Sequence, residues 1–134
     1  MILNNLHILI AEDDEDDGML INDSFFKNER YSKVSMVKNG QELVDHLNNP
    51  ENDLPDIILT DINMPIMSGI EALVEIMKDP RYNTIPCFVY STSINPIYEE
   101  RCEELGVKGF LIKPFSLEEF DNIPNRIIST LATA

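Results

Sequence analysis

The sequence predicts an α/β fold in which a parallel sheet is covered on both faces by helices. Short apolar, partly β-branched runs alternate five times with segments of helical character, the pattern of strand–helix units in a parallel sheet. Three of these runs also end on charged groups. Ile8-Leu9-Ile10-Ala11 ends on Glu12, Asp13 and Asp14, Ile57-Ile58-Leu59-Thr60 on Asp61, and Phe110-Leu111-Ile112 on Lys113-Pro114. A run of about four apolar residues reads as a strand buried on both sides.

The first strand is placed at 6–11 and is followed by a helix from Asp16 to Asn28. The second strand is 33–37, and Asn39-Gly40 turns the chain into a helix from Gln41 to Leu47. Residues 48–55 are turn formers and read as a surface loop. The third strand ends at Asp61. Ser68 or Gly69 opens a helix that stops before Asp79-Pro80, because proline disfavours helix in the residue before it. Pro86 leads into the fourth strand, Cys87 to Tyr90, after which Thr92 and Ser93 read as loop and cap residues. Asn95-Pro96 supplies an N-cap and a first-turn proline, and Gly106 ends that helix. The fifth strand is 109–112, and the last helix runs over 117–131. In that helix Phe120, Ile123, Ile127 and Leu131 have helical spacing, yet Pro124 stands among them. An interior proline costs about 3 kcal/mol and a hydrogen bond, which predicts a kink or a late helix start.

At 134 residues the chain reads as a single domain (1–134, core about 6–131), long enough for a proper core. Hydrophobic content of 43% and charged content of 25% are ordinary for a globular protein. The net charge of −14 argues against non-specific nucleic-acid binding, which needs a basic surface. No apolar stretch reaches membrane-spanning length and no signal-peptide pattern stands at the N-terminus, so a cytoplasmic protein without membrane partners is expected. Cys87 and Cys102 lack metal-ligand spacing and read as buried or idle thiols. His7 and His46 are isolated.

The charged strand ends carry the chemistry. The carboxyl ends of strands in an open parallel sheet form the crevice where ligands bind. The three carboxylates after the first strand, Asp61 and Lys113 would therefore converge on one edge. Clustered carboxylates repel one another, and their ionised forms call for a cation. Oxygen-only ligands favour Mg²⁺, and a nearby ammonium suits an anionic guest. That combination suits phosphoryl transfer onto a carboxylate.

Asp61-Ile62-Asn63-Met64-Pro65 followed by Ser68-Gly69 resembles the phosphoacceptor segment of bacterial response-regulator receiver domains. The acidic group at Glu12-Asp13, the hydroxyl at Ser91 and Lys113-Pro114 stand where that family has them, and the resemblance runs from about residue 6 to 131. The stretch from Asp79-Pro80 to Thr92, with Ile85-Pro86 and Ser91-Thr92-Ser93, is similar to small stand-alone regulators paired with phytochrome-like sensor kinases.

The resemblance implies a flavodoxin-like (CheY-like) three-layer sandwich with strand order 2-1-3-4-5. It implies a stand-alone response regulator of two-component signalling, a switch rather than an enzyme. Asp61 would accept a phosphoryl group from a histidine kinase or phosphotransfer protein. Asp13 would ligate Mg²⁺ directly, Glu12 through water, Asp61 through its carboxylate and Asn63 through its backbone carbonyl. Lys113 would pair with Asp61 and then with the phosphoryl oxygens, and Ser91 would donate its hydroxyl to them. Ser91 moving inward and Phe110 packing behind it would remodel the surface of the fourth helix, fifth strand and fifth helix. That face would meet a downstream protein, or a second copy in a homodimer. Phe110 stands where the family often has Tyr, and Ser91 where it often has Thr.

Strand alternation points Asp14 away from the crevice, and Glu15, Asp16 and Asp17 read as a solvated face whose charge suits a helix N-terminus. Asp13, Glu15, Asp17 and Gly18 mimic half of a calcium loop, but Ser24 stands where its bidentate Glu belongs. A phosphohydrolase with an aspartyl-phosphate intermediate would need an Asp where Asn63 stands. A phosphate-blind adaptor would not need the full acidic, Asp, hydroxyl and Lys set. The fourth helix carries Glu99, Glu100, Glu103 and Glu104, two like-charge i,i+4 pairs that each cost about 0.2–0.5 kcal/mol. They form either a solvated face or a docking stripe for a basic partner.

Overall fold

A computed structural model describes residues 3–92 and 95–133. Ser93, read above as a loop or cap residue, lies outside the described residues. The chain runs β1 (Leu6–Ala11), α1 (Glu15–Phe26), β2 (Tyr31–Val37), α2 (Gly40–Asn48), β3 (Ile57–Asp61), α3 (Gly69–Lys78), β4 (Cys87–Ser91), α4 (Pro96–Glu104), β5 (Gly109–Ile112) and α5 (Leu117–Ala132). The strands form one parallel sheet in the order β2-β1-β3-β4-β5. This is the fold and strand order that the resemblance implies.

Residue alternation along the strands builds two cores. Leu9 and Ala11 of β1 point to one face, with Ile58 and Val89, where Leu43 and Leu47 of α2, Leu73 and Ile76 of α3 and Cys102 of α4 pack. Ile8 and Ile10 point to the other, with Ile57, Leu59 and Phe88, under Ile21 and Phe25 of α1 and Phe120, Ile123 and Ile127 of α5. Both faces are thus covered, so β1, β3 and β4 are buried throughout and, His7 aside, their polar residues gather toward the strand ends.

Helix starts follow their caps. The side chains of Asp14, Asn39, Ser68, Asn95 and Ser116 each accept a backbone N–H in the following turn, and Ser68 with Glu71 completes a capping box. Capping by Asp14 starts α1 at Glu15, one residue earlier than expected, and the helix closes at Phe26 rather than Asn28. β2 begins at Tyr31 rather than 33 because Tyr31 is buried, stacks edge-on against Phe25 (centroids 4.7 Å apart) and donates its hydroxyl to the Pro124 carbonyl at 2.8 Å.

That last contact bears on the expected disruption at Pro124. The helix does not start late: α5 begins at Leu117 on its Ser116 cap and continues through Pro124 to Ala132. Phe120, Ile123 and Ile127 are each at most 3% exposed. Burying such side chains contributes about 1.5–3 kcal/mol apiece, enough to offset the proline.

Candidate functional site

Three strand ends meet at one edge of the sheet, and Lys113 stands at their centre. Parallel pairing of β1 with β3 aligns Ala11 with Thr60, so Glu12 and Asp61 follow side by side. β5 joins through β4, whose Ser91 pairs with Ile112, and the Ser91 carbonyl accepts the Lys113 backbone N–H at 2.7 Å. The Lys113 ammonium lies 2.7 Å from Glu12 Oε1, 2.9 Å from Asp61 Oδ2 and 3.1 Å from Asp17 Oδ2. Glu12, Asp61, Ser91 and Lys113 are all buried.

The carboxylates are individually fixed. Glu12 Oε1 also accepts the Tyr90 hydroxyl at 2.6 Å, and its Oε2 accepts the Asp14 N–H at 3.1 Å. Asp61 Oδ1 accepts the Ile62 N–H at 2.7 Å, while the Asp61 carbonyl accepts the Thr60 hydroxyl at 2.8 Å. Gly69 is packed so close to that carbonyl that a Cβ would overlap it.

Charge and burial set the protonation states. Burial, reinforced by the Glu12 charge, pushes the Asp61 carboxyl up to about 6 despite its hydrogen bond to Lys113. Asp61 is therefore mostly ionised at neutral pH yet destabilised as an anion. Burial disfavours the Lys113 ammonium, but hydrogen bonds from it to Glu12 and Asp61 outweigh that and hold the group charged above its ordinary range. Burial and the adjacent Glu12 raise the Asp13 carboxyl.

Glu12, Asp13 and Asp61 each present a carboxylate oxygen, and these oxygens lie within 4.8 Å of one another. An all-oxygen set of this kind fits a hard divalent cation that keeps several waters. Asp14 is exposed and capping, as strand alternation implied. Asn63 is exposed on the loop after β3. Phe110 is half-buried on β5, packed toward α4, and lines a groove of about 200 Å³ with Glu99, Glu103 and Val107. All four α4 glutamates are exposed. Cys87 and Cys102 are buried free thiols.

Two site residues were not foreseen. Glu15 and Asp16 are solvated as expected, but Asp17 is only partly so: its carboxylate turns inward to Lys113. The signal was its place one helical turn beyond Asp13 and Asp14, which brings it back over the strand end. Tyr90 was read only as strand, yet it anchors Glu12 and lies under the Lys113 ammonium, 5.1 Å from ring centroid to nitrogen.

A parallel sheet in this order with an acidic crevice and a buried lysine defines a class, the response-regulator receiver. The family model for the response regulator receiver domain matches residues 8–124, and the chain belongs to that family of two-component signalling proteins. Among its relatives is the chemotaxis protein CheY of Thermotoga maritima, 32% identical over 125 residues that cover 92% of each chain. Among solved structures, the phosphorylated cyanobacterial phytochrome response regulator RcpA superposes with a TM-score of 0.87 at 31% identity, covering 97% of this chain and 96% of that one. The Mn²⁺-bound form of the response regulator Rcp1 superposes with a TM-score of 0.82 at 26% identity and 92% coverage of each. The expected likeness to phytochrome-associated regulators is thus found. Among the described residues no helix is long and apolar enough to cross a membrane.

Proposed function

We propose that this chain is a phosphoacceptor switch that takes a phosphoryl group from a histidine kinase or phosphotransfer protein onto Asp61. The observation that carries the reading is a buried Asp61 carboxylate held 2.9 Å from a buried ammonium, beside two further carboxylates placed for a cation. In the transfer an Asp61 carboxylate oxygen attacks phosphorus. The new O–P bond forms as the N–P bond of the phosphohistidine breaks, and the departing imidazole takes up a proton. Glu12, Asp13 and Asp61, with the Asn63 carbonyl, would hold Mg²⁺, which supplies charge neutralisation for the phosphoryl oxygens. Lys113 neutralises a further oxygen, and the Ser91 hydroxyl donates to another. The RcpA structure is of the phosphorylated protein and the Rcp1 structure of a Mn²⁺-bound form, and both support the reading. The chain promotes only its own phosphorylation and dephosphorylation.

The test is incubation with a small acyl phosphate and Mg²⁺, which should add a single phosphoryl group by mass spectrometry. Asp13→Ala is expected to abolish both Mg²⁺ binding and labelling. Asp14→Ala should keep most of both and lose only about 1 kcal/mol of stability with its cap. Equal loss in the two variants would show that the metal ligands are assigned one residue early.

Output would pass through α4, β5 and α5, where Ser91 and Phe110 couple the site to the surface and a downstream protein or a second copy docks. The exposed α4 glutamates offer a surface for a basic partner, whose approach they would steer. Glu99→Gln combined with Glu103→Gln should slow association with a phosphorylating kinase by about tenfold at low salt and leave it little changed at high salt. An unchanged rate and salt dependence would leave the stripe a solvated face.

A further inference from the structure

Resting on the phosphoacceptor reading, we propose that Asp17 is a positioning residue, a releasable latch that occupies Lys113 until a phosphoryl group arrives. An ammonium has three donors. All three of Lys113 are matched by carboxylate oxygens, from Glu12, Asp61 and Asp17. A phosphoryl oxygen that needs this ammonium must therefore displace one of them.

The three are not equally easy to displace. The Glu12 side chain is fully buried, makes the shortest contact at 2.7 Å and is pinned by Tyr90 and by the Asp14 N–H. Releasing it would leave a buried anion unpaired, which is costly. Asp61 is itself the acceptor and stays in place. Asp17 makes the longest contact, 3.1 Å, and its side chain is 31% exposed. Its carboxylate carries no other hydrogen bond among the described residues, so water can replace the lysine at small cost. The Asp17 backbone N–H stays bonded to the Asp14 cap, so α1 keeps its first turn when the side chain lets go.

The latch orients Lys113 toward Asp61 beforehand and competes with the incoming anion for the same donor. Removing the competitor should make the activated state easier to reach, a gain that simple structural damage does not produce. Asp16, one residue earlier, is exposed and has no contact with Lys113, so Asp16→Asn removes the same charge and controls for through-space repulsion.

The experiment is a titration of the full chain with beryllofluoride, a phosphoryl mimic, at saturating Mg²⁺, followed by NMR. Asp17→Asn is expected to bind about three- to tenfold more tightly than the wild type, and Asp16→Asn less than about twofold more tightly. In the wild type the Asp17 side-chain carboxyl carbon should shift on binding toward the value of a solvated aspartate. Equal or weaker binding by Asp17→Asn, an equal gain in Asp16→Asn, or an unmoved Asp17 resonance would overturn the latch while leaving the phosphoacceptor reading intact. A wild-type protein that binds no beryllofluoride would overturn both.

Discussion

Asp61→Asn is expected to abolish phosphorylation and, in the same protein, to raise stability at neutral pH. Asparagine keeps the shape of the side chain but offers no nucleophilic carboxylate, so incubation with acyl phosphate and Mg²⁺ should leave the mass unchanged. The stability gain follows from burial. The Asp61 carboxyl is pushed up to about 6 in the fold, against an ordinary value of 3.8 in the unfolded chain. Its charged form is therefore disfavoured in the native state by about 1–3 kcal/mol. Lys113 still has Glu12 and Asp17 after the substitution, so no buried charge is orphaned.

The sign of the pH dependence follows from linkage. Above about pH 6 the carboxyl is ionised in both states and the full penalty applies. As pH falls from 6 toward 4 the native state binds a proton that the unfolded state has not yet taken up, and the penalty disappears. The advantage of Asp61→Asn should thus be largest near pH 7, in the presence of a chelator, and close as pH approaches about 4. Denaturant unfolding of both proteins across this range checks it. Labelling of the variant would remove Asp61 from its role, and a gap that widens on acidification would contradict the account of the burial.

The parts of this site that the sequence made legible are those fixed by strand geometry. A parallel strand buried on both faces has to be apolar until it emerges, so Glu12, Asp61 and Lys113 announce themselves as the first charges after apolar runs. The parallel sheet then brings them together with no further information. Asp17 was not legible because its direction depends on the rotation of α1 about its own axis, set by Ile21 and Phe25 packing on the sheet. Within the charge-rich run from Glu12 to Asp17, a spacing of one helical turn from Asp13 and Asp14 is the one local sign, and it does not fix that rotation. Pro124 offered a late helix start that does not occur. Its cost is local and visible, whereas the burial that offsets it comes from β-strand residues far away in the chain.

The loop after Asp61 was hidden for a third reason. The Met67 N–H donates to the Pro65 carbonyl at 2.7 Å, closing a γ-turn with Ile66 at φ 71°, a conformation that a β-branched residue avoids. Two tertiary bonds hold it, from the Gly40 N–H to the Met67 carbonyl at 2.8 Å and from the Gly69 N–H to the Ile62 carbonyl at 2.9 Å. No propensity predicts a turn enforced from outside, and strain of this kind gathers at functional sites.

Those bonds lead to the second large effect, expected for Gly69→Ala. A Cβ on residue 69 would overlap the Asp61 carbonyl oxygen and come within 3.0 Å of Thr60 Oγ1. Neither neighbour is a flexible side-chain tip: one is backbone of a central strand, and the other is committed to the Asp61 carbonyl by a 2.8 Å hydrogen bond. Either α3 must withdraw from the end of β3, breaking the Gly69–Ile62 bond, or Asp61 must rotate away from Lys113. Overpacking against backbone should cost about 3 kcal/mol or more. Because the displaced group is the acceptor's own peptide, acyl-phosphate labelling should fall by at least about tenfold, even where the variant is folded. Gly106→Ala is the matched control. Gly106 has φ 82° but open space where a Cβ would go, so its substitution should cost only the backbone term of about 1 kcal/mol and leave labelling unchanged. Unfolding curves and labelling rates of the two variants separate the effects. Near-wild-type behaviour of Gly69→Ala would mean that the close approach of α3 to the phosphoacceptor strand is not what holds Asp61 in place.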